Sequence, residues 1–288
     1  MALSIFTSGA AMSSTNALNK SNSILSTAME RLGTGKRINS AADDAAGLQI
    51  ATRLQGQVNG MSVAQRNISD ATAMLQTGEG AFEEVTNIMY RMKDLATQAA
   101  NDTNNDKDRA AMQSEFSALA SELDNIWTNT DFAGTKLFSA SGGLATASGL
   151  NFQIGTASGE KLNTSTLSKS ISGLGAILST GAASGLSKLS LSGTSASAAA
   201  VIGNIETAIN SVAEVRSGMG ALINRLGHTA ANLSNMQDNT TLALGNIRDA
   251  DFATEATNMT RNQMLAQTSM SMLKQANSMS GMVMSLLG

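Results

Sequence analysis

The sequence predicts a mainly α fold, an elongated antiparallel bundle of long coiled-coil helices with a small β-hairpin region. Three observations carry that expectation. The 288 residues contain no proline, where average usage of roughly 5% would supply about 14. Proline removes a backbone donor and breaks helices, so its absence favours long uninterrupted ones. Apolar side chains recur at every seventh position through both ends of the chain, the spacing of helices packed side by side. Between those ends, residues 141–200 hold 10 glycines and 14 serines and carry only Glu160, Lys161, Lys169 and Lys188 as charges.

Taken in order, the elements follow from these patterns. Ala11, Leu18, Leu25 and Leu32 lie seven apart and mark a first helix that breaks at Gly33-Thr34-Gly35. Leu54, Met61, Ile68, Leu75, Phe82, Met89 and Ala96 form a second row, with Gln57, Ala64, Ala71, Gly78, Val85 and Met92 three residues on. One helix over residues 43–99 would be a rod of roughly 85 Å at about 1.5 Å per residue. Asp43 and Asp44 are placed in its first turn, where the helix dipole favours negative charge. Gly78 and Gly80 are its weak point, each costing up to about 1 kcal/mol against alanine. The turn around Asp102–Asp108 caps a helix starting near Lys107.

Leu150, Phe152 and Ile154 alternate, Gly155–Gly159 turns, and Leu162, Thr164 and Thr166 alternate again, which reads as a hairpin. Residues 168–200 read as a surface loop or a small strand-and-turn patch. Heptad rows then return. Ile205, Val212, Met219, Leu226, Leu233, Thr240 and Ile247 form one; Val201, Ala208, Val215, Leu222, Thr229, Met236 and Ala243 form the other. This helix and the 43–99 helix are natural partners, so the chain goes out and comes back. Leu265, Met272, Met279 and Leu286 make a last row, and seven of the 17 methionines fall between Met259 and Met284. Flexible thioethers suit a surface that must fit several neighbours. Terminal helices this apolar need partners, and intermolecular burial supplies them.

Composition excludes several functions. Without cysteine there is no disulfide framework, thiolate nucleophile or cysteine-ligated metal, and one histidine cannot build a histidine-rich metal site. With 19 basic and 22 acidic side chains and 3% aromatics, neither a basic footprint nor a base-stacking platform for nucleic acid is available. No run of 18 apolar residues predicts a membrane span, and the N-terminus lacks the basic and apolar regions of a cleaved signal. Around Gly33-Thr-Gly35-Lys36-Arg37, Glu30 and Arg37 stand where a phosphate-binding loop needs glycine and serine or threonine. Asp102, Asn104, Asp106 and Asp108 begin like a calcium loop, but Lys107 and Gln113 replace the glycine and glutamate it needs. His228 has no metal-binding or triad company. No catalytic constellation, cofactor site or metal site survives.

Longer motifs are more specific. Arg31-Leu-Gly-Thr-Gly-Lys-Arg-Ile-Asn-Ser-Ala-Ala-Asp-Asp-Ala-Ala-Gly47 resembles the N-terminal signature of bacterial flagellins. Ala64–Ala81 and Arg91–Asn101 resemble the same family, as do Ile247-Arg-Asp-Ala-Asp-Phe-Ala-Thr-Glu255, Gln275-Ala-Asn277 and Leu286-Leu287. The resemblance covers residues 1–167 and 200–288 and has features of lateral-type flagellins. It departs at Gly288, at Gly245-Asn246 and at Ile5-Phe-Thr-Ser8.

The resemblance implies a filament subunit that self-assembles for motility, exported without a cleaved signal and located outside the cell. Residues 1–42 and 255–288 would be terminal inner-tube helices. Residues 43–167 and 196–254 would form the rod-like outer-tube domain with its hairpin near 150–166, and 168–195 a short Ser/Gly-rich surface segment in place of large outer domains. Leu18, Leu25, Leu32, Leu265, Met272, Met279 and Leu286 would serve self-assembly. The implied partners are further copies of the chain, the flagellar export chaperone, and the cap and hook-junction proteins. A host toll-like receptor for flagellin would contact Arg91, Leu95 and Glu115. The competing readings are a hook–filament junction protein, a flagellin carrying an enzymatic insert, and a dedicated receptor-binding module.

Overall fold

The structure of the protein, a computed structural model, describes residues 8–138, 143–178, 189–191 and 194–287, with side chains through Met279. Among the described residues the chain runs α1 (Gly9–Thr34), α2 (Ala45–Ala99), α3 (Asp106–Asn129), β1 (Asp131–Phe132), β2 (Thr135–Lys136), β3 (Asn151–Gln153), β4 (Lys161–Asn163), α4 (Ser165–Leu178), α5 (Ser195–Arg248) and α6 (Phe252–Leu287). It divides into two compact units, residues 1–58 with 238–288 and residues 59–237.

In the first unit α1 and α6 lie against each other and run antiparallel. Ser8 caps the start of α1, its hydroxyl accepting from the Ala11 N–H. At the other end Gly35 takes φ 69°, and its N–H closes on the Arg31 carbonyl. That left-handed conformation is open to glycine and costs a branched residue, so the Gly-Thr-Gly stretch is a helix stop. Beyond it the Gly35 carbonyl accepts from Ala250, the Arg37 N–H donates to the Arg248 carbonyl, and Lys36 bridges Asp249. Asp43 and Asp44 both precede α2 rather than occupying its first turn. Asp43 accepts from the backbone N–H groups of Asn39 and Ser40, while Asp44 accepts from the Gly47 N–H at 2.8 Å. A short acceptor just ahead of the helix satisfies a donor that has no intrahelical partner.

The second unit holds the main core. Met61, Ile68, Leu75, Phe82, Met89 and Ala96 of the α2 row are all buried, as are Ala64, Ala71, Val85 and Met92 of its companion. On α5, Val201, Ile205, Ala208, Val212, Val215, Met219, Leu226 and Leu233 are buried in turn. The two helices are antiparallel. Glu79 pairs with Arg216 at 2.8 Å and Lys93 with Glu206 at 2.9 Å. Neither Gly78 nor Gly80 breaks α2, and at Gly78 the helix comes close to Met219 of α5: a Cβ there would stand 3.2 Å from the Met219 Cε.

α3 begins on a capping box in which Asn105 accepts from the Lys107 and Asp108 N–H groups and Asp108 accepts in return from the Asn105 N–H. Its buried row is Arg109, Met112, Phe116, Ala120, Leu123 and Trp127. Trp127 stacks on Phe138 with centroids 5.0 Å apart, and Phe82 meets Phe138 at 4.8 Å.

The hairpin forms as the alternation predicts, with Phe152 opposite Leu162 and Asn151 opposite Asn163. A second, smaller pair joins β1 to β2 through Ala133 and Gly134, both at positive φ, which is the mirror-image turn that matches strand twist. The middle of the chain departs from expectation. Residues 165–178, read from composition as hairpin end and surface segment, form helix α4 with Leu167, Ile171, Leu174 and Leu178 all buried. Spacings of four, three and four place those side chains on one helical face, and packing against α3 outweighs the serine and glycine around them. Residues 179–188, 192 and 193 of the Ser/Gly-rich segment lie outside the described residues.

Candidate functional site

Among the described residues no group of three His, Cys, Asp or Glu side chains is placed to hold a metal ion, and His228 is exposed on α5. No described helix is long and apolar enough to cross a membrane. What the molecule presents instead is apolar surface. Among the described residues, eleven of the fourteen exposed large apolar side chains belong to the first unit, and Val63, Tyr90 and Met236 to the second.

The predicted self-assembly rows divide. On α1 the buried positions are Ser14, Ser21 and Ala28, and Leu18, Leu25 and Leu32 are half-buried on the same face. On α6 the buried positions are Glu255, Asn262, Ala266 and Ser269. The fully buried positions of the seam between these two helices are therefore small or polar, with the α1 leucines only half-buried beside them, so it removes less apolar area from water than a leucine-lined core. Leu265, Met272 and Met279 lie elsewhere. At 100° per residue they fall about a quarter-turn from that seam, and they are 47%, 59% and 52% exposed. Leu286 is helical, but its side chain lies outside the described residues. Met264 and Met270 add further exposed apolar surface on α6, and Met12, Ile24 and Met29 on α1.

The two terminal signature motifs meet in the first unit. Arg31 donates to Glu255 at 3.0 Å, with the Glu255 side chain 10% exposed. Arg248 reaches Gln55 at 3.4 Å, and Arg37 donates to the Ile247 carbonyl at 2.9 Å. Asp251 begins α6, accepting from the Thr254 hydroxyl and from the Ala253 and Thr254 N–H groups. Those hydrogen bonds, the Thr254 hydroxyl first, hold its carboxyl below the ordinary aspartate value.

The predicted receptor residues also separate. Arg91 on α2 donates through both Nε and Nη2 to one Glu115 oxygen on α3, at 2.9 and 2.6 Å, and both side chains are about half exposed. Leu95 is 2% exposed. It sits in the core of the second unit and presents no apolar contact, because its position on α2 faces inward beside Met92 and Ala96, both buried. Tyr90, next to Arg91, is the large apolar side chain exposed there at 54%. Sequence reasoning passed over Arg109. Its guanidinium is buried and donates to the Ala99 and Asn101 carbonyls, closing the end of α2. An arginine ten residues past a helix end gives no sign of that role in the sequence.

Comparison with known proteins agrees with this architecture. Residues 5–142 match the bacterial flagellin N-terminal helical region, and residues 202–287 match the bacterial flagellin C-terminal helical region. The chain is 38% identical to a flagellin of Halalkalibacterium halodurans over 90% of both proteins. It is 36% identical to a flagellin of Bacillus subtilis over 96% of this chain and 97% of that one. A solved Vibrio parahaemolyticus protein whose name places it among hook-associated flagellar proteins shares the fold, with a TM-score of 0.54 at 17% identity over 72% of this chain and all of that one. The matched regions span both heptad zones and both signature motifs, and the chain belongs to the bacterial flagellin family.

Proposed function

We propose that the subunit assembles by burying the outward row Leu265, Met272 and Met279 of α6, together with exposed Met12, Ile24 and Met29 of α1, against neighbouring copies. Family membership makes the chain a structural subunit of the flagellar filament, an extracellular homopolymer. The observation that supports the finer reading is the division of α6 into a small-residue seam toward α1 and an apolar row turned away from it. Fully burying one Leu or Met side chain contributes about 1.5–3 kcal/mol, whereas an exposed ion pair contributes about 0–1 kcal/mol. The apolar rows therefore dominate assembly. A head-to-tail contact of this kind that does not close generates an open helical polymer.

Seeded polymerisation followed by sedimentation and negative-stain microscopy tests this. Long filaments are expected from the full chain and none after deletion of 1–42 and 255–288. Replacing Leu265 and Met272 with glutamine is expected to slow elongation while leaving helix content unchanged. Rings or short stacks alone would move the reading to a hook–filament junction protein. A subunit that stays monomeric with seeds present would sink it.

The same reading includes export without a cleaved signal and encounters with an export chaperone, a cap and hook-junction proteins. It also includes recognition of the free subunit by the host toll-like receptor for flagellin. For that, the observation in favour is the exposed Arg91–Glu115 pair, which offers a planar multi-donor head beside Tyr90. Unchanged receptor signalling by Arg91→Ala and Glu115→Ala subunits would remove receptor recognition from the proposal.

A further inference from the structure

Among the described residues some methionines are sealed and others stand in water, the latter including Met12 and Met29 of α1 and Met236 of α5. Met61, Met89, Met92 and Met219 are sealed in the core of the second unit, at 3% exposure or less. Met264, Met270, Met272 and Met279 stand on α6, each about half exposed. The chain has no cysteine, so no thiol draws an oxidant away from these thioethers.

We infer that the exposed methionines of the terminal helices, Met12 and Met29 of α1 with Met264, Met270, Met272 and Met279 of α6, form an oxidation site through which hydroperoxides stop the free subunit from joining the filament. The inference rests on the assembly reading above. In the step itself, a sulfur lone pair attacks one peroxide oxygen, the O–O bond breaks and an S–O bond forms. Proton transfer then releases water from hydrogen peroxide, or an alcohol from an organic hydroperoxide, so the thioether is oxidised by two electrons and the peroxide is reduced. The product sulfoxide is polar and chiral where the thioether was apolar and adaptable. In the free subunit water solvates the new oxygen, and α6 keeps its seam with α1, because that seam uses Glu255, Asn262, Ala266 and Ser269. In a subunit contact the same oxygen must be buried without a donor. One such burial weakens the contact by about tenfold or more. Oxidation therefore spares the fold and removes the assembly surface, and a filament that has already buried the row is protected.

The test uses the full chain treated with dilute hydrogen peroxide, with oxidised positions mapped by peptide mass spectrometry and elongation measured from untreated seeds. Oxidation is expected at Met12, Met29, Met264, Met270, Met272 and Met279 and not at Met89, Met92 or Met219, with circular dichroism unchanged and elongation slowed by about tenfold or more. Treatment with both methionine sulfoxide reductases should restore elongation. A variant carrying M12L, M29L, M264L, M270L, M272L and M279L keeps the apolar bulk and should elongate equally well before and after peroxide. If oxidised wild-type subunits elongate at the untreated rate, or the leucine variant loses as much as wild type, the oxidation site is overturned while the assembly reading stands. If untreated subunits do not elongate at all, the assembly reading fails, and the oxidation site fails with it.

Discussion

Single residues on the second unit show how exposure separates binding groups from structural ones. Leu95 is buried among the helices of the core, and Leu→Ala at such a site removes apolar contact and leaves a cavity. Leu95→Ala is expected to destabilise by about 2–5 kcal/mol. Arg91→Ala and Glu115→Ala break only an exposed pair, and each is expected to change stability by about 1 kcal/mol or less. Urea denaturation of the three variants checks this. A Leu95→Ala loss as small as that of Arg91→Ala would mean that the leucine does not pack as described. Asp43 and Asp251 illustrate the electrostatic side. The Ser40 and Asn39 backbone N–H groups, in that order, lower the Asp43 carboxyl, and Thr254 does the same for Asp251. A folded-state value below the unfolded one stabilises the native state fully above the ordinary carboxylate range. That contribution fades as pH falls below about 4 and through the depressed folded values. Carboxyl NMR titration of the folded chain should place both midpoints below that of an unstructured aspartate, and a midpoint at or above it would refute the capping geometry.

At the level of elements, one helix carries two glycines in different surroundings. Gly80 has nothing within 4 Å of a built Cβ, whereas Gly78 has Met219 at 3.2 Å and Leu144 at 3.6 Å. Gly80→Ala is therefore expected to stabilise the protein by about 0.5–1 kcal/mol through lower chain entropy and better helix propensity. Gly78→Ala should gain less, because the Met219 terminal methyl must move by a few tenths of an ångström. Thermal melts of both variants decide it, and a larger gain at Gly78 would contradict the close α2–α5 approach. Gly78 thus has a packing reason in the long helix. Nothing in the structure explains Gly80.

At the level of the molecule, the two units are built of different material. The unit of residues 59–237 buries Phe82, Phe116, Leu75, Met89, Met92 and Leu123 at under 2% exposure. The seam of α1 with α6 buries Ser14, Ser21, Asn262 and Ser269, which bring little hydrophobic stabilisation. Local opening is easiest where few apolar contacts hold the backbone. Hydrogen exchange on the free subunit should therefore release amides of residues 9–34 and 255–279 well before those of 61–99 and 201–226. Equal protection in both units would refute the difference. Assembly should close that gap by giving the outward α6 row a partner.

Much of this was legible in the residues alone. Seven-residue rows need nothing but a regular helix, so α2 and α5 could be drawn almost to their ends, and the alternation at Phe152 and Leu162 was enough for the hairpin. The signature motifs carried the family. α4 was missed because serine and glycine hid the Leu167–Ile171–Leu174–Leu178 face, which becomes visible only once α3 packs against it. Heptad spacing shows that Leu18, Leu25, Leu32, Leu265, Met272 and Met279 form stripes but not which way the stripes turn. Two helices approaching over small residues at Ser14, Ser21, Ala266 and Ser269 settle that: the α1 leucines turn toward the seam, and the α6 methionines face water. Leu95 was misplaced for the same reason, since a periodic position is inside or outside only relative to a neighbour. Helix period, caps and turns are local and reside in the sequence, whereas burial is a property of pairs of elements and is decided when they meet.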